Sequence, residues 1–478
     1  MIDLKNLTIE KVHESLKEGV YTCKDLVEAY LDVIKKKNPE INAYLEVYDD
    51  VLAQAEVAQK MFTDGTATIL TGIPIALKDN ILLTRHKASA SSKMLENYVA
   101  AYDATAVEDF KKQGAVFLGR TNMDEFAMGS STENSAYGVT RNPIDPTRVP
   151  GGSSGGPAAA VAGDMALVSL GTETCGSVRE PAAFCGLVGI KPTYGAVSRY
   201  GVIAMGNSLD QVSPFAKTVR DAEIILNTLM KHDPKDATSI KPEARLPRTV
   251  LESKEGLSLG KRIGVPWHLF KEGLNNEIAK NFIESVEKFK KEGYEIVDIE
   301  LPYSKYSLAV YYIIMPAEVS TNLSRYDGVR YGPRVEGETV SDMFKKSRSS
   351  GFGAESRRRI ILGSYVLSHG HYDAYYNKAW AVRRAIMKET EEAFKKVDFI
   401  MTPTAPFLPF KLGERVQDPL AMYLCDLFNA PANLTGTPSI ALPSGTSEEG
   451  LPFSIQLTAP HWGEKSLFEI GKKFEIIR

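Results

Sequence analysis

The chain reads as an α/β protein, a central sheet covered by helices on both faces. Three observations carry this. Short apolar segments of strand length alternate with amphipathic stretches of helix length along most of the 478 residues, the rhythm of helices packed on both sides of a sheet. Glycine-rich, hydroxyl-bearing turns at 151–156 and 171–177 stand next to apolar segments, and open α/β sheets place their chemistry at strand ends. The composition, 43% hydrophobic and 24% charged, is that of an ordinary globular protein.

Residues 8–63 read as helices. Thr8 and Thr22 are N-cap candidates, and Thr22 with Asp25 makes a capping-box pair. Leu26, Ala29, Tyr30 and Val33 then share one face. Residues 73–77 form a short apolar strand with Lys78 at its end. A helix over 103–113, a strand over 115–119 and a loop–helix–loop over 121–131 follow. The small residues 158–162 predict a closely packed helix, and 165–170 a buried strand feeding the second glycine turn. The proline-rich, charged stretch 232–257 predicts a long surface connection. Strands at 262–265 and 294–299 flank an amphipathic helix over 277–291. Residues 305–395 are helical and rich in tyrosine and arginine, beyond what a sheet-and-helix core needs, and could cover a site and set substrate choice. Strands at 399–402, 439–442 and 452–457 end the chain. No internal repeat or low-complexity tract is visible. The expected organisation is one domain over 1–478, with N-terminal helices in 1–65, a core in 66–230 and a helical insert in 305–395.

Net charge is −3, so no global basic field points to nucleic acid or an acidic membrane. No apolar run approaches the ~20 residues of a membrane span, and the first residues do not read as a signal peptide. Cys23, Cys175, Cys185 and Cys425 lie far apart without CxxC spacing and read as free thiols of a reducing cytosol. The seven histidines are scattered, and no metal site is expected.

The chemistry concentrates in residues 150–192. Ser153 and Ser154 sit on the first glycine turn and Ser177 on the second. Glycine-rich turns let backbone N–H groups converge on a point. A serine on each of two adjacent turns, with N–H donors beside one of them, fits acyl transfer with an oxyanion hole. Lys78, at a strand end after an apolar run, is a candidate base once burial strips its proton. Neither turn fits the glycine patterns of phosphate loops.

These residues resemble the amidase signature family. Ser153-Ser154 lie in a GGSSGG turn, Ser177 follows the first serine of that turn by twenty-four residues in a G-S-V-R-x-P-A context, and Lys78 lies in GIPIALKDN. The resemblance implies a mixed sheet and a Ser–cis-Ser–Lys triad. Ser177 would be the nucleophile, Ser153 the bridge in a cis peptide, and Lys78 the base. The N–H groups of Thr174, Cys175, Gly176 and Ser177 would bind the oxyanion. Within the family the chain is similar, from about residue 5 onward, to the glutaminase subunits of tRNA-dependent amidotransferases. The segments TNMDEFAMGSSTENSAYGVTRNP, GFGAESRRRIILGSYVLS and MYLCDLFNAPANLTGTPSIALP carry this. That branch implies glutamine as substrate, held by Gly129, Ser130, Arg359 (or Arg358), Asp426 and Tyr311 (or Tyr312). It implies partner subunits B and C, with ATP and Mg at a partner, tRNA reached only through the partner, no cofactor in this chain and a cytoplasmic location. A free-living amidase, aryl acylamidase or carbamate hydrolase of the same family is the alternative, and a non-catalytic scaffold a third.

The chain departs from the family pattern near the chemistry. Glu173 stands for aspartate, Cys175 for glycine, Glu180 for glutamine and Ala196 for arginine. For Cys175 three readings are open: a buried apolar filler, a reactive thiol, or a side chain that impairs the oxyanion hole if the position needs positive φ.

Overall fold

The computed structural model describes residues 2–244, 261–270 and 273–478. Its centre is a mixed sheet of eleven strands among the described residues. In chain order these are β1 (Tyr44–Val47), β2 (Pro74–Lys78), β3 (Val116–Thr121), β4 (Val168–Glu173), β5 (Val188–Lys191) and β6 (Gln211–Ala216). They continue with β7 (Arg262–Val265), β8 (Glu295–Asp298), β9 (Phe399–Pro403), β10 (Ser439–Thr446) and β11 (Pro452–Thr458). Across the sheet the order is β1-β3-β2-β4-β6-β5-β10-β11-β9-β7-β8. β2 runs parallel to β3 and β4, and β7 parallel to β8 and β9. The other pairs are antiparallel.

Every residue of β2, β3, β4, β5 and β6 is buried. Strands covered on both faces tolerate continuous apolar runs, which is why β2 and β3 are readable as short apolar segments. Helices close the faces. Helix Ile9–Lys17 is capped by Thr8 and helix Cys23–Ile41 by the reciprocal Thr22–Asp25 box. The second buries Leu26 and Tyr30, while Ala29 and Val33 pack half-buried against the same core. The helix expected over 158–162 runs Gly155–Ala162, and the one over 277–291 runs Asn276–Lys291.

Four expectations change. Residues 8–63 are not all helical, because Tyr44–Val47 pairs antiparallel with β3 as the edge strand. The strand expected over 165–170 starts at Val168 and runs on through Glu173, taking in half of the second glycine turn. Gly171, Thr172 and Glu173 pair with Ser213, Val212 and Gln211 of β6, so long-range pairing overrides local turn chemistry. No α-helix forms in 121–131. There is a 3₁₀ turn over Glu125–Ala127, with Phe126 and Ala127 at positive φ. The Asp124 carboxylate organises this loop by accepting the N–H groups of Thr132 and Asn134. The connection expected over 232–257 begins anchored rather than loose. Asp233 accepts the Thr105 and Ser198 hydroxyls, and Asp236 pairs with Arg199. Its residues 245–257 lie outside the described residues.

Residues 305–395 hold helices Ser307–Leu323, Val340–Gly351, Ala354–Val366 and Lys378–Ala393. The first and third lie so close that a Cβ on Gly363 would overlap the Pro316 carbonyl. Tyr311, Met315 and Phe352 from this region share a buried apolar cluster with Phe126 and Cys175, which docks the helices over the second glycine turn.

Candidate active site

Lys78 ends β2, fully buried, and its Nζ has three neighbours. It lies 2.8 Å from Ser153 Oγ, 2.7 Å from Ser154 Oγ and 3.1 Å from the Thr172 carbonyl oxygen. Counting protons fixes their roles. The Thr172 carbonyl can only accept, and the Ser154 hydroxyl spends its proton on that same carbonyl, at 3.0 Å, so it accepts from Lys78. Two amine protons are then used. The third position faces Ser153, the one neighbour able to donate to a neutral amine. Burial lowers the lysine to about 7, against the opposing pull of Asp124, Asp210 and Glu173. Among the described residues no carboxylate touches the amine to keep it charged. Asp124 is itself pushed up to about 6 by burial, partly offset by its two N–H donors. The Gly152–Ser153 peptide is cis.

The turn carrying Ser177 joins β4 to the short helix Arg179–Phe184. Glu173 anchors it. One carboxylate oxygen accepts the backbone N–H of Val178 and Arg179, and the other takes Nε and Nη2 of Arg179. Burial alone would push this carboxyl up, but Arg179 outweighs it and holds it below its ordinary value. Arg179 Nη1 donates to Gln456, and Nη2 also reaches Asn433 and the Asn429 carbonyl. Thr174 is tied down by its hydroxyl, which donates to Asp210 at 2.7 Å. Gly176 has φ +78, and a Cβ there would meet Asn429 at 2.8 Å. Cys175 is not among the positive-φ residues. Its thiol is buried in the apolar cluster that holds Tyr311 and Met315, and burial drives it well above its ordinary value. The strain needed for an impaired turn is missing, and burial disfavours the thiolate needed for a reactive one. The N–H groups of Cys175, Gly176 and Ser177 make no hydrogen bond inside the chain among the described residues. Ser177 Oγ likewise makes none, so it is not bonded to Ser153 here. At 6% exposure Ser177 is the one member of the Lys78–Ser153–Ser177 set that reaches solvent.

The helical region supplies a second, charged cluster. Arg359 is 2% exposed, whereas the Arg358 side chain is nearly half exposed, so Arg359 is the one that faces inward. Its Nε donates to Glu355 at 2.7 Å, its plane lies 5.3 Å from the Tyr312 and Tyr423 rings, and its Nη2 has no partner. Asp426 is buried and accepts the Tyr312 hydroxyl at 2.7 Å. Burial raises its carboxyl to about 7, with Tyr312 and Arg359 opposing. Tyr312, not Tyr311, is therefore the tyrosine on Asp426. Gly129 and Arg359 meet across a cavity of about 80 Å³, with Ser131, Glu355 and Tyr423 in its walls. Asp426, Tyr311, Ser130 and Ser177 do not line it. The Ser130 hydroxyl turns back onto the Gly129 carbonyl.

Several contributors were not singled out from the sequence: Ser154 as the second serine on Lys78, Asp124 and Asp210 around the turns, and Glu355 on Arg359. Ser154 was visible as the neighbour of Ser153. Glu355 and Arg359 stand four residues apart on a helix, a spacing that pairs charges. Asp124 and Asp210 carry no local signal, since their partners come from other segments. Among the described residues no cluster of three or more His, Cys, Asp or Glu is arranged for a metal ion, and no helix is long and apolar enough to cross a membrane.

The chain belongs to the amidase family, whose model matches residues 25–468. It is 48% identical over 477 residues to the A subunit of the glutamyl-tRNA(Gln) amidotransferase of Thermoanaerobacter pseudethanolicus, covering 99% of this chain and 97% of that one. Among solved structures, the A subunit of the glutamyl-tRNA(Gln) amidotransferase of Thermotoga maritima aligns with a TM-score of 0.80 at 39% identity, covering 98% of this chain and 94% of that one. The peptide amidase of Stenotrophomonas maltophilia aligns with 0.79 at 27%, covering 98% and 96%.

Proposed function

We propose that the chain is the glutaminase subunit of a tRNA-dependent amidotransferase. It releases ammonia from glutamine for transamidation of Glu-tRNA(Gln) or Asp-tRNA(Asn). The observation that carries the hydrolysis is the buried Lys78, lowered to about 7 and 2.8 Å from Ser153. Neutral Lys78 takes the Ser153 proton as Ser153 takes that of Ser177. Ser177 Oγ then attacks the side-chain amide carbon. The N–H groups of the 174–177 turn receive the oxyanion. The proton returns through Ser153 to the departing ammonia, and water releases glutamate from the acyl-enzyme.

Glutamine brings a carboxylate and an ammonium. The unpartnered Nη2 of Arg359 suits the first, since guanidinium donors match carboxylate geometry. Asp426 suits the second, and the arriving cation favours its ionised form. In this reading Gly129 lines the cavity beside Arg359, and Ser130 holds the Gly129 carbonyl. In this assignment the chain works with subunits B and C in the cytoplasm, and a partner reads the tRNA and uses ATP and Mg to activate it. The test is glutamate release from glutamine, by the purified chain alone and with partner subunits and tRNA. Release that is specific for glutamine and stimulated by the partners is expected. Efficient hydrolysis of neutral amides by the chain alone, with glutamine left intact, would make it a free-living amidase.

A further inference from the structure

Glu180 lies three residues past Ser177, in the helix Arg179–Phe184, and is 1% exposed. Its Oε2 accepts the backbone N–H of Gly152 at 2.9 Å, and Gly152 immediately precedes Ser153. One side chain therefore joins the turn of Ser177 to the turn of Ser153. The seam is tight. Gly151 has φ +83, and a Cβ there would fall 2.5 Å from Glu180 Oε2 and 2.8 Å from the Pro181 Cα. Further along, the Cys185 thiol meets the Pro150 carbonyl at 3.4 Å.

This carboxyl has no cation to answer it among the described residues. Its neighbour Arg179 is committed to Glu173, Gln456, Asn429 and Asn433. The charged groups that act on it are Asp124, from the loop after β3, and Asp426, from the 3₁₀ turn Leu424–Asp426. Cys425 on that same turn and Cys185 at the end of its own helix are its thiol neighbours. Among the described residues the Cys425 thiol is the one hydrogen-bonding side chain beside the carboxyl, and as a weak donor it leaves Oε1 without an ordinary hydrogen bond. A lone buried carboxylate is costly, and two acids nearby make it more so. Burial first, then those acids, push the group well above its ordinary value.

We propose that Glu180 is a positioning residue held as a neutral carboxylic acid, which fixes the Gly152–Ser153 turn against the turn of Ser177. In that state it does what a glutamine side chain does. A carbonyl-type oxygen accepts from Gly152, and an O–H stands where an amide would carry N–H. The proposal has a thermodynamic signature. The unfolded glutamate ionises near its ordinary value, about 4.3. The folded one keeps its proton, so the folded state binds one proton more and loses stability as pH rises above that value. Glutamine does not titrate.

The test uses the full chain. Urea midpoints of wild type and Glu180→Gln are measured at pH 5, 6, 7 and 8. The advantage of E180Q should grow at each step. The infrared difference spectrum between the two at pH 7 should show the carbonyl stretch of a protonated acid in the wild type. In the glutaminase assay of the proposed function, Glu180→Ala should lose at least tenfold in kcat with KM changed less than threefold, and E180Q should recover to within threefold of wild type. A midpoint difference independent of pH, carboxylate bands in the spectrum, or E180Q as inactive as E180A would overturn the proposal. The first two readouts do not depend on glutamine being the substrate, and they stand if E180A fails to fold.

Discussion

The two ends of the candidate site are both buried, yet Lys78 at one and Arg359 at the other are treated differently. Around Lys78 the first glycine turn supplies two hydroxyls and β4 a carbonyl, with no contacting counter-charge among the described residues, so burial lowers the lysine to about 7. Around Arg359 and Asp426 the helices supply charges together with partial partners, Glu355 and Tyr312, and leave one donor open. In the proposed function the same low dielectric makes a base at one end and a receptor for a zwitterion at the other. What differs is whether a counter-charge comes within contact distance: Glu355 touches Arg359, whereas among the described residues Lys78 and Asp426 have none and both shift toward their neutral forms. A proton relay needs its lysine unpaired, while a recognition site needs its charges held ready but incompletely satisfied.

The largest way to break this contrast is at the relay end. Ser177→Ala should abolish glutamate release and Lys78→Ala should nearly do so. Losses of 10³-fold or more correspond to ~4 kcal/mol of transition-state stabilisation. Wild-type-like turnover by S177A, followed by quenched kinetics, would remove Ser177 from the chemistry. At the recognition end, Asp426→Ala should act on KM for glutamine rather than on kcat. Loss of a buried charge partner costs roughly 2–5 kcal/mol, and a neutral amide without the α-amine should be spared. Equal losses on both substrates would mean that Asp426 serves the fold and not the substrate.

The smallest effect is expected between the two ends. Cys175 has no positive φ to relieve, and its thiol fills space in the apolar cluster that holds Tyr311 and Met315. Cys175→Gly should therefore leave kcat within about twofold and lower stability by ~1 kcal/mol for the lost filling. A severalfold rise in kcat would revive the impaired-turn reading.

The relay end was largely readable from residues because its parts are local. An apolar strand ending in Lys78 and two glycine turns carrying serines are short-range signals, and burial patterns confirm the strands. The recognition end was readable only through a resemblance, and its register stayed open between Arg358 and Arg359 and between Tyr311 and Tyr312. Helix–helix packing turns Arg359 inward and brings Tyr312 to Asp426, while Arg358 and Arg359 both line the cavity beside Gly129. The edge strand β1 and the extension of β4 through Glu173 were missed for a related reason. Both exist because of pairing with distant strands, which local periodicity does not report. Glu180 was visible as a departure, but its bond to Gly152 required the fold.

The most direct test of a neutral Lys78 is the pH dependence of kcat at saturating glutamine, where the bound α-ammonium keeps Asp426 ionised. A protonated lysine cannot accept from Ser153, so activity is lost as pH falls through the lysine's value of about 7. The account predicts a single acid limb centred near 7, falling tenfold per pH unit below it, with a plateau above. A kcat that stays flat from pH 5 to 9 would contradict it.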